Sequence, residues 1–567
     1  MSSTATTPTT AGAAAGLRPQ ISRVGLLFTS VGSIVGSGWL FGALFAAQIA
    51  GPAALIAWVL GGAVMLLLAL MHAELGGAYP VAGGSARFPQ YAFGGAASFT
   101  GGWLAYLGAL TTAPIEVESI LQYSSSYVGG LTRESAGVTV LTTTGLALAV
   151  ILMLVFSVIN VFGIKLMSES NKLAVWWKLA IPTLASAVFL LNTPHLSNLT
   201  SGPGGFAPYG VKGVLAAVTS GGIVFAYTGF EQAVQVGSES RRPGRDIPFA
   251  VIGSILIGLV VYIVLQLAFL VALDPSALTN GWSNVAFVGH GRTLGPFVGL
   301  ALASGLGWLS WVLYADAIIS PSATGLLYVG TGSRITYALA EDGYAPKTFA
   351  RLTRGGVPVR AIIFSFVCGS LLLLPFPGWQ TLVGFISSAT VLAYSTAAVS
   401  LGALRKQDPD RHRPYRLPAA AVLAPLGFVV SSELVLWAGW AVVWKLVVAV
   451  AVGFVLFRGP AAAASSADTP PAEWRHVAWL WPYLAGLTVI SGLGSFGASE
   501  AAFGFITGPT NTLPFGWDMA ATALLALGTY YYALHVRLPD SRTREYLTQA
   551  ASQPAAVVGD VLPGGRT

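Results

Sequence analysis

Apolar stretches of about 20 residues recur along the chain from residue 24 to residue 536, separated by short connections rich in Gly, Pro and charged residues. As helices, each is long enough to cross a hydrocarbon layer of about 30 Å. The pattern predicts fourteen spans, at 24–48, 53–78, 97–128, 138–162, 173–192, 213–237, 247–273, 295–328, 360–376, 380–404, 418–437, 439–457, 477–496 and 515–536. The eleventh and twelfth share one apolar stretch interrupted near Gly439. The stretch 295–328 is longer than a bilayer needs, which predicts a tilted span. The connection from Tyr79 to Gly95 is too apolar for a free loop and reads as a short segment lying in the membrane plane. Residues 1–20 are rich in Ser, Thr and Ala and lack the signature of a signal peptide; they and residues 538–567 read as disordered tails.

Composition agrees with the pattern. Hydrophobic residues make up 54% of the 567 and charged residues 9%, against about 25% charged in an average soluble domain. A surface facing water cannot be built from so few charges, whereas one facing lipid can. The net charge of +7 raises nucleic-acid binding as a possibility, and the placement of the charges removes it. With the N-terminus inside, all but five of the 29 Lys and Arg lie in the tails and even-numbered connections. Arg133, Lys212 and Arg292 fall on outer connections, and Lys178 and Lys445 within spans. This is the positive-inside asymmetry, and it places both termini in the cytoplasm. Cys368, the one cysteine, permits no internal disulfide.

Two spans are badly formed as helices. The first contains Gly32, Ser33, Ile34, Val35, Gly36, Ser37 and Gly38, with three glycines and two serines in seven residues. The sixth runs through Ser220, Gly221, Gly222 and then Phe225, Ala226, Tyr227, Thr228, Gly229, Phe230 and Glu231. Small residues at one break can serve close helix packing alone. A break in the leading span of each of two five-helix halves instead points to an inverted-repeat transporter with its site between the repeats. Backbone N–H groups freed at one break attract a carboxylate, and freed carbonyls at the other attract an ammonium group. An α-amino acid carries both.

At these residues the chain resembles the amino acid–polyamine–organocation superfamily. The matching stretches are Gly32 to Gly38, Pro80 to Gly94 with Gly83-Gly84, Phe225 to Glu231 continuing to Pro248, and Ser333 to Ala338 followed by Asp342, Gly343 and Pro346. Within it the chain is most similar to the bacterial aspartate:proton symporter group, through Ser37 to Phe41, Ile115 to Glu118, Leu306 to Leu309, Asp316 to Pro321, Leu374 to Pro377 and Gly494 to Gly497. At Gly229-Phe230-Glu231 it follows the broader superfamily rather than that group, which leaves the substrate's side chain open. The resemblance implies an all-α integral membrane protein with a five-plus-five inverted-repeat (LeuT-like) core. The core takes residues 21–405, and four accessory helices take 406–537. Substrate would contact Ser33, Ile34, Val35, Gly36, Ser37, Gly38, Phe225, Ala226, Tyr227, Thr228 and Gly229.

Ionisable groups at membrane depth are costly and mark function. Lys178 lies in span five, where proton-coupled relatives carry a lysine in place of a sodium ion; it is a candidate carrier of the coupling proton, against the alternative of a lysine snorkelling to the interface. Glu231 follows the sixth-span break and is a candidate gate or a brace for the unwound backbone. Glu116 and Glu118 lie in span three, two apart and therefore on different helix faces. Asp316 shares a face with Ser320 in span eight. His72 and Glu74 read as interfacial.

These features predict a secondary transporter that imports an amino acid, aspartate or another L-amino acid, across the cytoplasmic membrane by proton symport. An exchanger of the same superfamily is the alternative. A channel, receptor or membrane enzyme fits less well, since the sequence carries no His/Asp/Glu metal cluster, no Ser-His-Asp set and no P-loop. No cofactor, metal or nucleic acid is expected; the partners are the amino acid, protons and the lipid bilayer.

Overall fold

The computed structural model describes residues 21–81, 84–135, 138–162, 164–192, 194–289, 292–353, 356–374, 378–463 and 473–552. The expected tail at 1–20, Gly83, and Pro375 to Pro377 lie outside them. The helices run in the order α1 Arg23–Ile34, α2 Gly38–Ala50, α3 Ala54–Ala78, α4 Gly84–Phe93 and α5 Gly95–Ser124. A hairpin, β1 Thr132–Ser135 and β2 Val138–Leu141, leads into α6 Thr143–Phe162, α7 Ile164–Asn192, α8 Gly210–Ser220, α9 Ile223–Tyr227, α10 Gln232–Gln235 and α11 Pro243–Ala272. Two short strands, β3 Val288–Gly289 and β4 Arg292–Thr293, precede α12 Pro296–Ala303, α13 Gly307–Glu341, α14 Val359–Leu372 and α15 Trp379–Gln407. The chain closes with α16 Ala420–Trp437, α17 Trp440–Ala463, α18 Leu480–Leu493, the hairpin β5 Glu500–Ala502 and β6 Ile506–Gly508, α19 Trp517–His535 and α20 Asp540–Ser552.

By length and apolarity, seven segments among the described residues can cross a membrane, or eight if the bent pair Gly210–Ser220 and Ile223–Gln235 is one span. That pair bends by 48°. Both interruptions fall where the glycines predict them. Helix α1 starts on a Ser22 cap, whose Oγ accepts from the Gly25 N–H at 3.1 Å. It ends at Ile34, and Val35 turns extended. In the second break Gly222 and Gly229 sit at φ +82° and +116°, conformations that side chains with a Cβ rarely adopt. The connection from Tyr79 to Gly95 contains the short helix α4, and the chain turns at Gly439, φ +87°, between α16 and α17.

Three expectations are corrected. Residues 138–141 are strand, not the start of a span; they pair antiparallel with 132–135, Thr132 opposite Leu141. Helix α6 then begins at Thr143, with the Gly145 N–H bonded to Thr142 Oγ1. The apolar run at 295–328 is not one tilted helix. It breaks at 304–306, where Gly305 takes φ +72°, and α13 continues to Glu341, carrying Ser333 to Ala338 on the helix rather than after it. The stretch 538–567 is not wholly a disordered tail: α20 docks on α4, with Thr543 Oγ1 donating to the Tyr91 carbonyl at 2.9 Å and the Leu538 N–H to the Ala92 carbonyl at 3.0 Å. Those carbonyls end α4 and have no partner inside it, so the C-terminal segment supplies the missing donors.

Candidate substrate and coupling site

The two breaks lie against each other. A Cβ on Gly38 would sit 2.9 Å from the Ala226 Cα, and one on Gly229 would sit 2.8 Å from the Ser33 carbonyl carbon and 2.9 Å from the Ile34 nitrogen. Glycine is thus required at both positions by a close approach of backbones, not merely by local flexibility. Ser30 Oγ stitches the contact, donating to the Phe230 carbonyl at 3.0 Å and accepting from the Ala233 N–H at 3.2 Å. All of Ser33 to Gly38 and Phe225 to Gly229 are buried, so the structure brings the eleven expected substrate-contact residues into one place.

The first break is already occupied by protein groups. The Ser37 N–H, at the start of α2, donates to Glu116 Oε2 at 2.9 Å and to Oε1 at 3.2 Å. Ser37 Oγ accepts from the Trp379 indole at 2.9 Å. Tyr262 OH donates to the Ile34 carbonyl at 3.0 Å. Lys178 Nζ donates to the Gly32 carbonyl at 2.8 Å and to Thr324 Oγ1 at 2.6 Å. Lys178 is 2% exposed, which rules out an interfacial snorkel here. Its tie to α1 falls on Gly32, within the segment that contains the break. Glu116 and Asp316 act on it electrostatically.

Asp316, Ser320 and Thr324 follow one another at four-residue spacing on α13 and face this centre. Asp316 is fully buried beside the Trp39 and Trp177 indoles. Neither of its oxygens reaches hydrogen-bond geometry among the described residues. Glu118 is also fully buried, with both oxygens unbonded among the described residues. The helix period separates it from Glu116, and nothing places it at the breaks. Sequence reasoning missed Thr324, Trp379 and Tyr262. For Thr324 the signal was present, since it extends the Asp316–Ser320 stripe by one turn.

Glu231 braces the second break. Its Oε2 accepts from the Gly229 N–H at 2.9 Å and from Tyr394 OH, and Tyr328 OH reaches Oε1 at 3.5 Å. It thereby joins the unwound segment to α13 and α15. Beneath lies a cavity of about 30 Å³, lined by Thr112, Thr228, Glu231, Gln232, Thr331 and Thr390 among others. His72, expected at the interface, is instead wholly buried, edge-to-face against Phe230 and Tyr394 with ring centroids 5.4 and 5.3 Å away. Glu74 is likewise buried, paired with Arg405 at 2.5 Å and Arg413 at 3.2 Å.

On the side of the β1–β2 hairpin a larger cavity of about 240 Å³ opens, lined by Phe41, Phe45, Gln48, Gln122, Glu134, Gln380 and neighbours. A layer of rings separates it from the breaks: Trp379 packs on Phe41, Phe45 and Phe225 with centroids 4.8 to 5.9 Å apart, and Tyr123 stands edge-on to Phe41.

Two interrupted helices that meet at an enclosed polar centre, with cavities of unequal size on either side of an aromatic layer, mark a helical membrane transporter rather than an enzyme. The amino acid permease family model matches residues 21–457. The glutamate/serine transporter AimA of Bacillus subtilis (strain 168) is 37% identical over 529 residues, 91% of this chain and 94% of that one. The aspartate-proton symporter of the same organism is 32% identical over 517 residues, 91% and 96% of the two chains, and its branched-chain amino acid permease BcaP is 24% identical over 453 residues. The chain belongs to the amino acid permease family, as its motifs imply.

Proposed function

We propose that this protein imports a small polar or acidic L-amino acid across the cytoplasmic membrane by symport with protons. The observation that carries the reading is the meeting of the two breaks, Gly38 on Ala226 and Gly229 on Ser33, with Lys178 bonded to the Gly32 carbonyl between them. The substrate's α-carboxylate addresses the N–H groups at the start of α2 and its ammonium the carbonyls ending α9. Its side chain projects toward the threonine-lined cavity under Thr228. The small cavity, with Thr112, Thr228, Thr331 and Thr390 set among glycine and alanine, suits a compact side chain with a polar end, and relatives named for glutamate, serine and aspartate agree with that. The coupling proton belongs to the buried group of Lys178, Glu116 and Asp316, while Glu231 gates the inner half.

The architecture that goes with this reading is fourteen spans, the first ten forming the five-plus-five inverted repeat, with both termini cytoplasmic. The basic residues on even-numbered connections support the orientation. Uptake of labelled serine, aspartate and glutamate into proteoliposomes under an imposed pH gradient is the test. Concentrative uptake that an uncoupler abolishes is expected. Uptake that requires internal amino acid would establish exchange instead, and no flux in either format would overturn the transport reading.

A further inference from the structure

The start of α2 is the place where a substrate carboxylate is expected, and a carboxylate of the protein is already there. Both oxygens of Glu116 lie on the Ser37 N–H, at 2.9 and 3.2 Å. The fit is built into the backbone: a Cβ on Gly36 would stand 2.5 Å from Glu116 Oε1, so only glycine lets the side chain in. Glu116 is fully buried on α5. The groups that face it are Lys178 from α7, Tyr262 from α11, and Thr324 and Tyr328 from α13. Among them Lys178 supplies the one positive charge in the described surroundings, and its ammonium hydrogens go to Gly32 and Thr324 rather than to the carboxylate.

We propose that Glu116 is a tethered stand-in for the substrate's carboxylate, and that binding proceeds by exchange of one carboxylate for the other at the Ser37 N–H. This rests on the transport reading above. A single N–H cradle cannot serve two anions, and two carboxylates side by side in a buried site repel strongly. Glu116 therefore leaves as the substrate arrives and takes a proton from water on the entry side, becoming a neutral acid. When the substrate leaves on the other side, Glu116 releases that proton there and returns to Ser37. One proton thus accompanies one carboxylate, and Lys178 keeps its charge throughout as the tie between α7 and α1.

The test is equilibrium binding of labelled serine and of ethanolamine, which is serine without its carboxylate and whose ammonium stays charged over the range, to purified full-length protein between about pH 8 and about pH 6. For wild type, serine affinity is expected to rise as pH falls, by at most about tenfold per unit for one linked proton, while ethanolamine shows no such slope. Glu116→Gln should bind serine more tightly than wild type at alkaline pH and without slope. Glu116→Asp, one methylene too short to reach Ser37, should shift in the same direction. The proposal is overturned if Glu116→Gln keeps the wild-type slope, if it loses serine binding at every pH, or if wild type binds serine and ethanolamine with the same pH dependence. Wild type that transports none of the three amino acids would remove the transport reading itself, a result separate from these.

Discussion

Replacing Lys178 by alanine removes the side-chain donor that, among the described residues, joins α7 to the first break. Two hydrogen bonds from a charged group are lost, to the Gly32 carbonyl at 2.8 Å and to Thr324 Oγ1 at 2.6 Å. Hydrogen bonds to charged groups contribute about 1.5–3 kcal/mol each, net of exchange with water in the unfolded chain. Water entering the vacated space recovers part of this, leaving a net loss of about 2–3 kcal/mol. That shifts the balance between access states by roughly 30- to 150-fold, enough to uncouple the conformational change from the proton. The assay is paired. Proteoliposomes with an inward proton gradient measure accumulation, and preloaded proteoliposomes measure exchange. Lys178→Ala should abolish gradient-driven accumulation and retain exchange, and Lys178→Met, which keeps the side-chain volume, should behave alike. Unchanged accumulation in both variants would refute the argument and remove the Lys178 tie from the coupling.

Four further outcomes are expected. Gly229→Ala forces a Cβ against the Ser33 and Ile34 backbone at φ +116°, which should cost at least about 2 kcal/mol and lower the melting temperature in detergent by several degrees. Gly36→Leu displaces Glu116 and fills the carboxylate cradle; if it folds and reaches the membrane, wild-type substrate affinity would place the site elsewhere. Thr543→Val deletes the bond to the Tyr91 carbonyl, and thermal unfolding should register a loss of about 1 kcal/mol. Photo-reactive substrate analogues should label residues near the two breaks and none in 480–536; labelling there would bring the last helices into the transport core.

Both breaks were legible because glycine and serine clusters stand out against apolar runs, and the alternation of helix faces told in advance that Glu116 and Glu118 could not share a site. Periodicity along one helix cannot report what faces it. Trp379 reaches Ser37 across 342 positions and Lys178 reaches Thr324 across 146, so neither pairing could be read from local pattern. His72 was misplaced for the same reason, because distance from the end of a span says nothing of the Phe230 and Tyr394 rings that enclose it. The interruption at Gly305 was hidden in a run apolar on both sides. Helix α20 was hidden by its polar composition: its order comes from the carbonyls of α4 and from Glu473, which receives Arg542 and Tyr546.

Each break presents one backbone N–H to a glutamate, but the two glutamates are anchored differently. Glu231 belongs to the segment it braces, two residues from Gly229, so any movement of the second break carries the carboxylate along and must break or drag its bonds to Tyr328 and Tyr394. Glu116 belongs to α5, a separate helix, so the first break can move only by parting from it. The two groups should then fail differently. Loss of the Glu231 carboxylate, as in Glu231→Gln, weakens the links to α13 and α15 and should change the rate of interconversion more than the affinity for substrate. Loss of the Glu116 carboxylate changes competition at Ser37 and should appear first in affinity and its pH dependence. A Glu231→Gln variant with altered pH dependence of binding and an unaltered transport rate would contradict this division, because it would put the anion-sensing step on the wrong side of the contact between the breaks.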